Sequence, residues 1–542
     1  MNKRSLITSA VCSAAALAFM LAPACGGGSG SQFNPNGGSG SGGGDDSGAP
    51  NLIGGGSGGS SSGGGLGADG GCLGLQCQIH ACSGKPDGTT ISGHIYDPAG
   101  TNVLYKVAAY VPNNDPSPIT DGITPDSCSC DSLYTGNPIA SGISQPDGSF
   151  TIKNAPDGKD IPIVIQIGKW RNYFTIPTVT NCGDNNVDTL LPAKLTLPKT
   201  QTETKFSNIP NIAISTGGAD TMECILERIG VSSTEYGGDP TDATKHIHIF
   251  QGRKGATTSP QATKSSATGG LWDTGPDMNR YDVVMLSCEG SETTGANGNM
   301  VGNAESQVLA DYVNGGGRVF ASHYHYAFFF NDQTNTNATQ FPNVADWSLA
   351  NAAANGGSDN YSTAIGATIQ TKLSSGANFP EGQALATWLG NVGALGNVDG
   401  LGLPNIPATD LGIPDQNGRY DGLVGPTNVS TVWATADTTT LKGGDPVSSQ
   451  YFSFDMPFNA PLNDAGTPNY CGRVVFSDLH VGALSNDYPK GKPTTVPAGC
   501  SYPQKLAPDE DAIEFILFDL SSCVTPVTGI PQPPPTPQPP VK

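Results

Sequence analysis

From residue 89 to about 197 the chain consists of short apolar runs cut by turn residues, as in "TTISGHIYDPAG", "YKVAAYVP", "ASGISQPDGSFTIKNAP" and "IPIVIQIGKW". Alternation of apolar and polar positions marks half-buried strands. Pro146-Asp147-Gly148 between two such runs is turn chemistry for an antiparallel hairpin, so an all-β sandwich without helices is expected here. After "TLPKTQTETKFSNIP" the period changes. Apolar β runs at 211–215, 246–250, 281–287, 318–323, 429–436, 451–456 and 473–480 alternate with helical spacing, first at Met222, Ile225, Leu226 and Ile229 and then over 304–314, 381–390 and 509–520. Such alternation predicts an α/β domain around a mostly parallel sheet. The Asn-, Gly- and Ala-rich stretch 331–428 reads as an insertion over a sheet edge or the strand tips.

The flanks follow other rules. Lys3 and Arg4, an apolar run to Leu21 and the small residues of "LAPAC" have the form of an export signal over 1–24. The segment that follows, to residue 71, is dominated by Gly and Ser. It has too little apolar surface to fold and is expected to be a tether spanning about 35–40 Å r.m.s.. Residues 526–542 end in "PQPPPTPQPPVK", an expected extended, disordered tail. "LAPAC" resembles the lipobox of bacterial lipoproteins, which implies acylation at Cys25, although Ala22 rather than Leu21 stands three before the cysteine. The chain is therefore expected in the cell envelope, lipid-anchored at the outer membrane or surface of a Gram-negative bacterium, with plain secretion as the other outcome.

Charge narrows the partners. The net charge of −21 becomes −23 once Lys3 and Arg4 leave with the signal, and binding nucleic acid needs a cationic face that this chain lacks. The membrane through the anchor, a glycan or a surface protein remain. Setting aside Cys12 and Cys25 leaves 11 of the 13 cysteines, and export makes disulfides the default. The odd number leaves at least one thiol outside such pairs within the chain. Six cysteines precede residue 200, namely Cys72, Cys77, Cys82, Cys128, Cys130 and Cys182, enough for three local bridges.

Ligands of open parallel sheets bind where strands end. The first α/β strand ends in Ser215-Thr216-Gly217-Gly218, the third in Ser287-Cys288-Glu289-Gly290, the next in Ser322-His323-Tyr324-His325 and a late one in Ser477-Asp478-Leu479-His480. His323, His480, Glu289 and Asp478 are the catalytic candidates, with a histidine beside an acid as a general base. Thr216, Gly217, Gly218 and Tyr324 are candidates for holding a ligand, the loop amides by binding an anion. No cofactor is required. A divalent metal on His323, His325 and His480 is a weaker alternative, and an aromatic core around His325 is the plainer reading. Cys288 suits either a nucleophile with a nearby histidine or a bridge to Cys224, which export favours. His246 and His248, and His94 on its strand face, are read as structural.

Two resemblances join this reading. "ISGHIYDPAG" with "VAAYVP", "SQPDGSFTIKNAPDG" and "IPIVIQIG" resembles the carboxypeptidase regulatory-like (transthyretin-like) family, placing a Cys-containing β-sandwich over 72–200. "YDVVMLSCEG", "LADYVNGGG", "RVFASHYHYA" and "CGRVVFSDLHVG" resemble the ThuA-like branch of the class I glutamine amidotransferase-like superfamily. That implies a flavodoxin-like α/β domain over 205–525, with His323 at the turn where amidotransferases keep a nucleophilic cysteine and His480 as the late-strand histidine. Here the turn holds no cysteine and Ala321 replaces the expected glycine, so the resemblance implies a degenerate domain. The expected function is to bind a ligand, a glycan or a protein, without amidotransfer. The alternative is an exported hydrolase or sugar isomerase using His323 and His480.

Overall fold

The computed structural model describes residues 72–536 except 126, 129–132, 291–300, 330–339, 342–343, 346, 348–364, 396–411, 416–428, 438–446, 463–465, 479–492, 501–505, 526–528 and 530. The expected lipid site Cys25, the tether and His480 lie outside the described residues.

The N-terminal part is a sandwich of two sheets. Its strands are β1 (Thr90–Tyr96), β2 (Ala108–Pro112), β3 (Pro138–Ile143), β4 (Ser149–Ile152), β5 (Gly158–Ile167), β6 (Trp170–Val179), β7 (Asp184–Asn186) and β8 (Leu195–Thr196). One sheet runs β4-β1-β7 with β8 also on β1, and the other β3-β2-β5-β6. Ile91, Ile95, Val107, Val111, Ile163, Ile165 and Trp170 fill the space between them. The turn at Pro146-Asp147-Gly148 does not close a hairpin: β3 pairs with β2 and β4 with β1, so the chain there crosses from one sheet to the other. Buried Ser144 fixes the crossing, since its hydroxyl donates to the Leu104 carbonyl and accepts the Val107 amide. The hairpin lies at β5–β6 instead, where Gly168 takes a φ of 53° between paired Ile167 and Trp170. His94 lies on β1 and its Nδ1 is 2.7 Å from Asp188 Oδ2.

The second part is built on a sheet of ten strands: β9 (Ile212–Ser215), β10 (Tyr236–Gly237), β11 (Ile247–Phe250), β12 (Val283–Leu286), β13 (Arg318–Ser322), β14 (Ile365–Ile369), β15 (Gly412–Asp415), β16 (Ser430–Ala436), β17 (Ser448–Met456) and β18 (Gly472–Ser477). Their order is β10-β11-β9-β12-β13-β18-β17-β16-β14-β15. The first six are mutually parallel, and β17 starts an antiparallel edge. Residues such as Ile214, Val284 and Phe320 are buried, as continuous apolar runs in a covered parallel sheet require. The fold class is thus a β-sandwich followed by an α/β domain with a mostly parallel sheet; the sandwich is not free of helix, since Asn186 caps a single helical turn at Val187–Leu190. The insertion contributes β14 and β15, which extend the antiparallel edge.

Helices α1 (Ile225–Arg228), α2 (Asn303–Asn314), α3 (Pro380–Val392) and α4 (Pro508–Ser521) accompany the sheet. α3 and α4 each start with proline at the first turn, and α3 stops at Gly393 with φ 77°, the residue types that begin and end helices at least strain. The helical spacing from Met222 yields only a short 3-10 turn and the single turn of α1.

α4 departs from the amphipathic pattern. Every residue from Pro508 to Leu520 is buried, including Asp509, Glu510, Asp511, Glu514 and Asp519, because the sandwich packs on it. The sandwich and the α/β domain pack into one compact unit. At its centre Lys106, from the sandwich, reaches Glu381 on α3 (2.6 Å) and Asp519 on α4 (3.0 Å). Arg473 on β18 meets Asp519 (3.3 Å) and Asp455 on β17 (2.6 Å). Burial opposes ionisation of Asp519, but Lys106 and Arg473 outweigh it and hold its carboxyl low.

The disulfides include Cys72–Cys77, Cys82–Cys182, Cys128–Cys471 and Cys224–Cys500. Three local bridges among the first six cysteines do not form, since Cys128 reaches the α/β domain. Cys224 is taken by Cys500, so no bridge to Cys288 exists.

Candidate functional site

The carboxyl ends of β9, β12, β13 and β18 meet at one rim because these strands are parallel neighbours in near register. β13 stops at Ser322, and residues His323–Phe328 form a 3-10 turn. His323 and His325 therefore do not share a strand face, as a continued strand would require. His323 adopts a left-handed φ of 44°, a conformation that a non-glycine residue holds only where its surroundings over-determine it.

That backbone turn aims the imidazole at the neighbouring strand end, where His323 Nδ1 lies 3.3 Å from Cys288 Sγ. Cys288 is outside the disulfides. Its sulfur also accepts the Gly290 amide at 3.4 Å. Beneath them lies Asp220, fully buried, whose Oδ2 accepts the Cys288 amide at 3.1 Å and the Ser322 hydroxyl. One carboxylate thus ties the loop after β9 to the ends of β12 and β13. Cys288 is 0% and His323 1% exposed, and Tyr324, at 8%, is the more open group beside them. Its ring stands edge-on to His323 at 4.0 Å.

The remaining candidates separate. Glu289 follows Cys288 but sits over the loop after β11: the Arg253 amide hydrogen-bonds to it, and burial pushes its carboxyl up to about 7 against that bond. Asp478 is buried at the end of β18, its amide donating to the Gln450 carbonyl at 2.8 Å. His325 belongs to the core, with Nε2 2.9 Å from the Ser287 carbonyl and the ring among Trp272 and Phe328; burial lowers its pKa to about 4. Among the described residues no group of three ligating side chains has metal spacing. His246 Nδ1 pairs with Glu235 at 2.9 Å and His248 Nε2 lies 3.2 Å from the Asp242 carbonyl.

The Thr216-Gly217-Gly218 loop packs against protein. Thr216 is fully buried and donates to the Ala256 carbonyl. The Ala219 and Asp220 amides both point at the Cys288 carbonyl. A Cβ on Gly217 would stand 2.0 Å from that same carbonyl. Gly217→Ala is expected to cost about 1–3 kcal/mol through this overlap, read as a lower midpoint in urea; an unchanged midpoint would show that the loop can move away from Cys288.

Sequence reasoning missed Asp220. Only its position points to it: it stands five residues past the end of β9, on the same rim as Cys288 and His323.

Parts of the chain are similar to two known folds. A ThuA-like protein from Bacteroides uniformis ATCC 8492 matches over 58% of this chain and 94% of its own, at 10% identity and a TM-score of 0.25. Two type II cohesin-X-dockerin complex structures from Acetivibrio cellulolyticus match over 29% of this chain and 80% and 79% of theirs. Their identities are 15% and 16%, each with a TM-score of 0.14. The fold is read from the strand order itself. No family model matches the chain, and no curated protein matches it.

Proposed function

We propose that the chain is an exported, lipid-anchored envelope protein whose α/β domain is a thiol-dependent hydrolase, with Cys288 as nucleophile and His323 as base. The observation that carries this reading is the 3.3 Å contact between Cys288 Sγ and His323 Nδ1 at the strand-end rim. A thiol beside an imidazole yields a thiolate and an imidazolium, the activated form of the nucleophile. The thiolate attacks an acyl carbonyl, forming a C–S bond, and the leaving group departs with the proton from His323. Water then cleaves the thioester and returns a proton through His323. Asp220 holds both strand ends without touching the acyl group. This reading joins two drawn from the sequence, the hydrolase alternative with His323 and Cys288 as a nucleophile beside a histidine, and does not use His480.

A second reading has its own support. Cys288 and His323 are almost wholly covered, which favours a degenerate domain that binds a glycan or surface protein without chemistry. Incubation with p-nitrophenyl acetate followed by peptide mass mapping separates the two. The hydrolase reading expects an acetyl adduct on Cys288, absent in Cys288→Ser and formed about 10²–10⁴-fold more slowly in His323→Gln. An unmodified Cys288 in a chain that binds a glycan or an envelope protein would establish the second reading.

A further inference from the structure

The seam between the sandwich and α4 contains a second cluster of charge, separate from the strand-end rim and from the Lys106 network. Asp97, in the loop after β1, and Asp511 and Glu514, one turn apart on α4, are all buried. Asn102 of the same loop bridges the helix, its amide donating to Asp511 Oδ1 at 2.9 Å and Glu514 Oε2 at 2.6 Å. Glu514 is 0% exposed, and its Oε1 has no hydrogen-bond partner among the described residues. The charged groups facing the cluster are Lys194, which acts on Asp97, and the Arg228–Glu510 ion pair between α1 and α4. Further along α4 lie Asp519, Lys106 and Arg473. A buried carboxylate without a full set of donors is costly to ionise.

We propose that this seam is a proton-operated latch: the buried carboxyls of Asp97 and Glu514 are docked in protonated form beside the Asn102 bridge, and proton loss on the alkaline side loosens the loop after β1 from α3 and α4. Burial pushes Asp97 up to about 6, against the amides of Thr101, Asn102 and Gly100. Burial, and then Asp97, push Glu514 well above the usual carboxylate range. Because both folded values are raised, the folded state binds more protons than the unfolded chain. Their stabilisation is fully present below the unfolded carboxylate range of about 4 and is lost as pH rises through the folded values. The low-held Asp519 acts in the opposite sense, and its contribution is lost only as pH falls into the acid range.

The seam carries its own reporter. Trp388 on α3 donates its indole N–H to the Val103 carbonyl of the same loop at 2.6 Å, and its ring lies 5.5 Å from Phe515 on α4. Tryptophan emission of the full chain, recorded from pH 5 to 9, tests the latch. Emission is expected to move to longer wavelength as pH rises, the movement disappearing in Trp388→Phe. In Glu514→Gln, which keeps an uncharged side chain of the same shape, emission should hold its acid-side position throughout. Asp97→Asn, expected to blunt the shift in the same way, replaces it if Glu514→Gln does not fold. A flat wild-type profile, or an undiminished shift in the folded variant, would overturn the proposal.

Discussion

Replacing Arg473 by methionine is expected to destabilise the protein by about 3–5 kcal/mol, the cost of leaving buried charges without their partner. Arg473 is 1% exposed and its guanidinium faces Asp455, Asp519 and Glu381, the last at 3.7 Å. Methionine fills much of the volume but leaves two of these acids with Lys106 as their remaining cation and Asp455 with none from this group. Lys106→Met should act in the same direction, and the double variant should lose less than the two single losses together, because both cations serve Asp519 and Glu381. Urea unfolding of the four proteins measures this. A loss below about 1 kcal/mol for Arg473→Met, the range of surface pairs, would show that water reaches the network.

Removing the Cys128–Cys471 bridge, by alanine at both positions, is the second large effect. The bridge joins residues 343 apart. Chain-entropy arguments give about 6 kcal/mol for a loop of this length, as an upper figure, and native disulfides commonly supply 2–5 kcal/mol. The expected result is a lower urea midpoint for the double variant under non-reducing conditions. A midpoint equal to the parent would mean that the other contacts between the two parts, Lys169–Asp282 at 2.5 Å and the Lys106 pairs among them, already hold the seam.

Local periodicity is enough to predict most of the architecture. The apolar runs around Ile214, Val284, Phe320 and Val475 read as covered strands, and the switch from alternating to helical spacing near residue 211 marks the change of fold class. Pairing partners are different, because they depend on contacts distant in sequence. Nothing near Pro146 says that β3 and β4 belong to different sheets; that is set by Ser144 binding the backbone at Leu104 and Val107. Likewise Cys128 finds its partner at Cys471 only because the sandwich docks on the sheet. At the rim, the strand-end rule placed Cys288 and His323 near one another. Their contact depends on the left-handed turn at His323, for which a histidine gives no sequence signal. Asp220 was overlooked for a related reason, since a carboxylate in a small-residue loop ordinarily reads as a solvated turn.

The burial of α4 on every face has a consequence for how the protein is made. Lys106, Asn102 and Trp170, all in the first half of the chain, find Asp519, Glu514 and Phe518 only on this late helix. The sandwich therefore cannot complete its outer surface during synthesis, however early its own strands pair. Until the last helix arrives, it presents a lysine and an indole meant for the interior, so the order of synthesis and the order of assembly run in opposite directions along this chain.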